Sequence, residues 1–182
     1  MITKNFKTWL NATLSRVSYS STETVTLPQP IKTVTGESLS SIYYSAPSTT
    51  GGGLPYFLLL TDTNKATDLS GQVKNSIQLF VGTNDTPATK DDYTLDVITT
   101  LSSAQITSLV RSINGDNQAI TISRTFTNTS DESITIKEVG LVKSVSTSSS
   151  ASVNLLFARE VLPTPLVVPS GANFTVSMVV KV

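Results

Sequence analysis

The 182-residue chain contains no histidine and no cysteine, and only 14% of it is charged. Each shortage excludes something. Without imidazole, nucleophilic catalysis of the Ser–His or Cys–His kind has no group to take the proton. Without thiols there is no disulfide framework and no thiolate metal site. The 13 basic and 13 acidic residues cancel, and no two basic residues are adjacent. The basic stripe of a nucleic-acid binder is therefore missing. The most apolar run, Leu54 to Leu60, is far too short to span a bilayer. Residues 1–15 place Lys4, Lys7, Thr8, Asn11 and Thr13 where a leader sequence needs an apolar core. The expectation is a soluble protein that is not an enzyme, uses no cofactor or metal, and binds neither nucleic acid nor membrane. Ordinary globular chains are about 25% charged. A surface this lightly charged is marginally soluble alone, which suits a component of an assembly.

What the chain has is hydroxyls: Ser and Thr supply 54 residues. They repeatedly alternate with Ile, Val, Leu and Phe, the pattern of strands with one dry and one wet face. The exception is the start. Phe6, Trp9, Leu10 and Leu14 recur at helical spacing, with Thr3 or Asn5 as a cap, and predict a short amphipathic helix over 4–14. Its apolar stripe has two readings. It packs on its own domain, or it forms an arm that docks on a neighbouring subunit through the sole tryptophan.

From residue 18 onward the pattern is strand and turn. The stretch 23–27 alternates and is stopped by Pro28 and Pro30, as in an edge strand. Stretches 31–35 and 39–45 follow, then a Gly-rich loop over 46–55. The stretch 56–60 is apolar on both faces and predicts a central strand. A polar connection over 61–75 leads to the alternating residues Ile77, Leu79 and Val81. A long polar loop spans 82–93. Asn114-Gly115-Asp116-Asn117 predicts a hairpin between 105–113 and 118–128. A rival reading makes Ser102 or Ser103 the N-cap of a helix carrying Ile106, Leu109 and Val110, and the Asn-Gly turn that follows directly favours the hairpin. After a turn at 128–133, Ile134 and Ile136 alternate. The phase then slips to Val139 and Leu141, suggesting a bulge beside Gly140. Residues 144–152 form a Ser-rich tip. Val153, Leu155, Phe157 and Val161 alternate, Pro163 and Pro165 redirect the chain, and Ser170-Gly171 turns it into a last strand over 174–182. Nine or ten short strands predict an all-β fold. The expected architecture is an antiparallel β-sandwich, Ig-like or jelly-roll, with a short N-terminal helix. The division is an arm at 1–17 and a single sandwich domain at 18–182.

Candidate chemistry is thin. Gly51-Gly52-Gly53 is followed by Leu54 and Pro55, which is not a phosphate-binding loop. The acidic pairs Asp91/Asp92 and Asp131/Glu132 fall in turns, where acids cap and solvate the chain. Asp62, Asn64 and Asp68 lack the glycine and closing glutamate of a calcium loop. Asp85 with Asp91/Asp92 reads as a solvated loop. Tyr43, Tyr44, Tyr56 and Tyr93 are available to a glycan, but ordinary strand tyrosines explain them. Glycosylation patterns at Asn11, Asn84, Asn128 and Asn173 carry little weight without an export signal. Glu138 and Arg159 are different. Each is a charge on an apolar strand, Arg159 on the face of Val153, Leu155 and Phe157. A buried arginine needs a partner, so the two are expected to form a structural ion pair.

Several stretches in the second half carry a family likeness: Thr125-Phe-Thr-Asn-Thr-Ser, Ile134-Thr-Ile-Lys-Glu-Val-Gly-Leu141, Leu155-Leu-Phe-Ala-Arg-Glu-Val161, and Val167-Val-Pro-Ser-Gly171 before a closing Phe-Thr-Val-Ser-Met-Val-Val strand. Together with the loop Val81 to Tyr93, they resemble a β-sandwich module of tailed-bacteriophage virion proteins over residues 81–182. The resemblance implies a non-enzymatic structural protein of the virion, assembled in the host cytoplasm. The auxiliary or capsid-decoration role comes first. Its partners would be other virion proteins, the major capsid or tail proteins, and further copies of itself. The alternative is a tail-associated adaptor or receptor-binding module that recognises a cell-surface glycan. On the decoration reading Phe6, Trp9, Leu10 and Leu14 are candidate interface residues, whereas a receptor binder should instead cluster tyrosines in an open, loop-lined pocket.

Overall fold

The computed structural model describes residues 1–14, 23–44, 77–98, 101–114, 117–148 and 151–181. The expected loops and strand over 46–75 and the Gly115-Asp116 tip lie outside these residues. Among the described residues the chain is mostly β. Helix α1 (Lys4–Leu14) precedes strands β1 (Glu23–Lys32), β2 (Ser38–Tyr44), β3 (Ile77–Gly82), β4 (Leu101–Asn114), β5 (Asn117–Asn128), β6 (Ile134–Ser146), β7 (Ser152–Val168) and β8 (Asn173–Lys181). They form three antiparallel sheets, β1-β2, β3-β6-β7 and β4-β5-β8, and none of the three closes into a barrel.

The helix forms where its apolar spacing places it. Thr3 caps it by accepting from the Phe6 amide, while its hydroxyl donates to the Leu156 carbonyl of β7. Asn5 holds the other side, its amide donating to the Lys32 carbonyl and its oxygen accepting from the Lys32 N–H. Trp9 is buried, its ring 4.9 Å from that of Phe157, and Phe6 meets Phe157 edge-on at 5.2 Å. Aromatic contacts of this kind contribute about 0.5–1.5 kcal/mol each beyond area burial. Of the two readings of the stripe, the structure shows docking on the chain's own domain.

Two strand expectations need correction. The prolines do not stop β1, which continues to Lys32. Its register with β2 breaks between Thr26 and Ile31, so Pro28 and Pro30 occupy positions that owe no ladder bond. The rival helix over 102–110 is absent, because those residues pair with β5 as far as Asn114↔Asn117. The phase slip of β6 is also placed differently. Ile136 pairs with Leu166 and Glu138 with Val161, so β7 bulges out Leu162 to Pro165 opposite this step. A second irregularity inserts Phe157 opposite the step from Leu141 to Val142. The bulges thus lie in β7, and Gly140 sits in regular register with Arg159.

One apolar cluster draws on every element: Trp9 of α1, Ile31 and Ile42 of the first sheet, Leu79, Leu141, Leu155 and Phe157 of the second, and Ile122, Phe126 and Met178 of the third. A smaller cluster of Leu95, Val142 and Leu156, with Val34, Phe80 and Val97 packed on it, covers the opposite face of β3-β6-β7. That sheet is therefore buried on both faces, which explains the run of five buried residues from Leu155 to Arg159. Its edges are covered as well. The β3 edge receives Ile98 N–H at the Val81 carbonyl. The β7 edge takes Val34 N–H at Asn154 O and Thr3 N–H at Phe157 O, with Ile2 bridging Ala158. Covered edges do not recruit stray strands.

Asn128 organises the far end. Fully buried, it donates to the Glu132 and Val168 carbonyls and accepts from Ser130 N–H and Oγ. It joins the 128–133 turn to the turn at Gly171, whose φ of +72° suits glycine. A side chain so placed is not a surface glycosylation site.

Candidate functional site

Two buried charges, Glu138 and Arg159, meet beneath the segment linking β3 to β4. Residues 83–98 leave β3 at Gly82, loop outward, and return to it: Val97 bridges Gly82, and Thr83 N–H donates to the Asp96 carbonyl at 3.1 Å. Two glycines allow the close approach. A Cβ on Gly140 would stand 2.8 Å from Cδ2 of Leu95, and one on Gly82 would stand 2.5 Å from the Asp96 carbonyl oxygen. Both distances are below any real carbon contact.

Glu138 of β6 and Arg159 of β7 lie under this segment, at 0% and 3% exposure. Arg159 Nε donates to Glu138 Oε2 at 2.6 Å. The other glutamate oxygen accepts from the Asp96 N–H at 2.7 Å, so Glu138 ties the returning segment to the sheet. Arg159 Nη1 donates to Asp92 Oδ2 at 2.8 Å. Asp92 also accepts from the N–H and hydroxyl of Thr89. The result is a triad of two carboxylates on one guanidinium, joining β6, β7 and the connecting segment. Burial pulls the Arg159 pKa down, but hydrogen bonds to Glu138 and Asp92 and their charges outweigh it, so the group stays above its ordinary value. Burial raises the Asp92 pKa, while the Thr89 donors and Arg159 lower it further, leaving it below the usual 3.8.

The faces were not as the alternation suggested. The residue inserted at Phe157 reverses the phase of β7, so Arg159 shares the face of Gly140 and Val142, away from Leu155 and Phe157. A simple alternating strand would have driven the guanidinium into the apolar cluster. The bulge turns it toward carboxylates, and this is how a charge on an apolar strand is accommodated.

A second buried cation went unnoticed in the sequence. Arg124 of β5 is 1% exposed, and its Nη1 donates to Gln78 Oε1 at 3.1 Å and to the Leu79 carbonyl at 2.8 Å. Its guanidinium also lies 5.2 Å from the Phe126 ring and 5.6 Å from that of Phe80. Burial pushes its pKa down to about 10. The signal was present: Arg124 has the same parity as Ile122 and Phe126 on the dry face of β5. Asp92 gave no such signal, since an acid in a polar turn looks solvated.

The remaining candidates divide plainly. Phe6, Trp9 and Leu10 pack on the chain's own apolar cluster. Trp9 retains 4% exposure, while Phe6 and Leu10 remain half-buried. Leu14 ends α1, and its side chain lies outside the described residues. Tyr93 is half-buried with Lys32 Nζ 4.7 Å from its ring centre, and Tyr43 is half-buried in β2. Tyr44 and Tyr56 side chains lie outside the described residues. Among the described residues, no group of three or more acidic side chains is placed to hold a metal ion, and no helix is long and apolar enough to cross a membrane. The triad can clasp and position, and it offers no group poised to attack a substrate. No protein-family model, curated protein or solved structure matches this chain.

Proposed function

We propose that this chain is a non-enzymatic structural protein of a tailed-phage virion, an auxiliary or decoration protein that stabilises the capsid through protein–protein contacts. One observation carries the reading. The stretches that resemble phage virion modules fall on four successive strands, paired as β6 with β7 and β5 with β8: Thr125 on β5, Ile134–Leu141 on β6, Leu155–Val161 on β7, and Val167–Gly171 leading into β8. The conspicuous buried polar groups, Glu138, Arg159, Arg124 and Asn128, all bind the chain to itself. That is the economy of a scaffold.

We further infer that β3-β6-β7 and β4-β5-β8 face each other as a sandwich. The shared apolar cluster supports this, as does Arg124 reaching from β5 to β3. Contacts to other virion proteins and to further copies would use exposed apolar residues, of which Leu166 (42%), Val167 (60%) and Val179 (52%) are described. The glycan-binding alternative has less to draw on, since Tyr93 is occupied by Lys32. Electron cryomicroscopy of particles purified with and without this chain tests the proposal. Regularly spaced extra density on the head is expected. Density confined to the tail tip, or none, would remove the decoration reading.

A further inference from the structure

The segment between β3 and β4 is held in two unlike ways. Its stem is held by backbone bonds and apolar packing: the Gly82↔Val97 bridge, the Ile98–Val81 bond, the Thr83–Asp96 bond, and Leu95 packed on Gly140, Val142 and Leu156, with Glu138 Oε1 accepting from the Asp96 N–H. Its lobe, residues 84–93, is held mainly by charge. Asp85 pairs with Lys137 of β6 at 2.8 Å, Asp91 with Lys4 of α1, and Asp92 with Arg159 of β7 at 2.8 Å. Lys32 of β1 lies over Tyr93. One backbone bond is added, from Lys4 N–H to Lys90 O at 2.8 Å. All three carboxylates belong to the lobe, and all three cations to different elements around it. Short segments with adjoining ends are compact units that can move without unpairing their neighbours.

We propose that residues 84–93 form a charge-latched lobe on a backbone-bonded stem, one that lifts as a unit in acid and exposes the Arg159–Glu138 pair while the sheets stay folded. The groups facing the latch are Lys137, Lys4, Arg159 and Lys32, with Glu138 sharing Arg159 and Lys90 lying within the lobe itself. The sign follows from the carboxylates. Hydrogen bonding and the charge of Lys137 hold Asp85 below 3.8, and Asp92 also lies below it. A carboxyl whose folded pKa is depressed stabilises the closed lobe above the unfolded value and loses that effect as pH falls through the folded one. The latch is therefore closed at neutral pH and opens in the range below 3.8. Exposed pairs are also screened by salt, so high ionic strength should shift opening to higher pH.

Solvent exchange of arginine side-chain protons tests this on the intact chain. Arg159 Nε–H and the Lys4 amide report the lobe, whereas the Ile98 amide reports the stem and Arg124 the sheets. Between about pH 6 and about pH 3, protection of Arg159 and Lys4 should fall at least about tenfold while Ile98 and Arg124 keep theirs. Asp92→Asn should produce the same loss already at about pH 6. If that variant does not fold, Asp85→Asn, at an exposed position, should produce a smaller loss in the same two reporters. Arg159 and Lys4 protection that survives acid would overturn the proposal. So would loss of all four reporters together, because that is global unfolding.

Discussion

Arg124 and Arg159 are both buried near the middle of long strands, yet the fold treats them in opposite ways. Arg159 meets two carboxylates and is held in its charged form. Arg124 meets an amide oxygen, a backbone carbonyl and two aromatic rings, and burial pushes its pKa down to about 10. Removing one partner of a buried pair strands the other charge. Removing Arg124 leaves the Gln78 oxygen and the Leu79 carbonyl without this donor. Arg159 should therefore behave as a keystone on β7.

The sharpest way to break this comparison is Arg159→Met, which leaves Glu138 buried without its cation. We expect a loss of about 3–5 kcal/mol in chemical denaturation, enough to unfold a marginal domain. Gly140→Ala comes next. The added methyl collides with Leu95 and forces the stem of the β3–β4 segment off the sheet, at about 1–3 kcal/mol, with a lowered midpoint and unchanged slope. Arg124→Met, which takes the donor from two buried acceptors, should cost about 1–3 kcal/mol. A loss as large as that of Arg159→Met would show that the two arginines do equivalent work. Smallest in stability is Val167→Glu at an exposed position, within about 0.5 kcal/mol of the parent. On the proposed virion role, its incorporation into particles should nevertheless fall.

The two arginines also mark what the sequence could reveal. Helix 4–14, the hairpin around Asn114 and Asn117, and the final strand were legible because spacing and turn chemistry are local properties. Glu138 and Arg159 were legible because a charge stands out on an apolar strand. Arg124 stood out by the same criterion on β5 and was passed over. Asp92 was not legible: it lies 67 residues from Arg159 in sequence, and only the fold turns that polar loop onto β7. The face of Arg159 was misread because a single inserted residue, Phe157, reverses every side chain beyond it. The strand through Pro28 and Pro30 was missed for a related reason, since whether a proline breaks a ladder depends on the partner's register. The helix's apolar stripe was visible, but its partner Phe157 was not, so an internal contact looked equally like an intersubunit one.

The account rests on Arg159 and Glu138 acting as one unit, and a double-mutant cycle measures that directly. Arg159→Met, Glu138→Met and the double variant should be compared by denaturant unfolding at neutral pH. Each single variant leaves a fully buried charge, whereas the double variant leaves only the half-buried Asp92 without its cation. The double variant should therefore be at least as stable as either single one, with a coupling energy of about 2–3 kcal/mol. Losses that simply add, with a coupling energy below about 0.5 kcal/mol, would contradict the claim that this pair clasps the fold together.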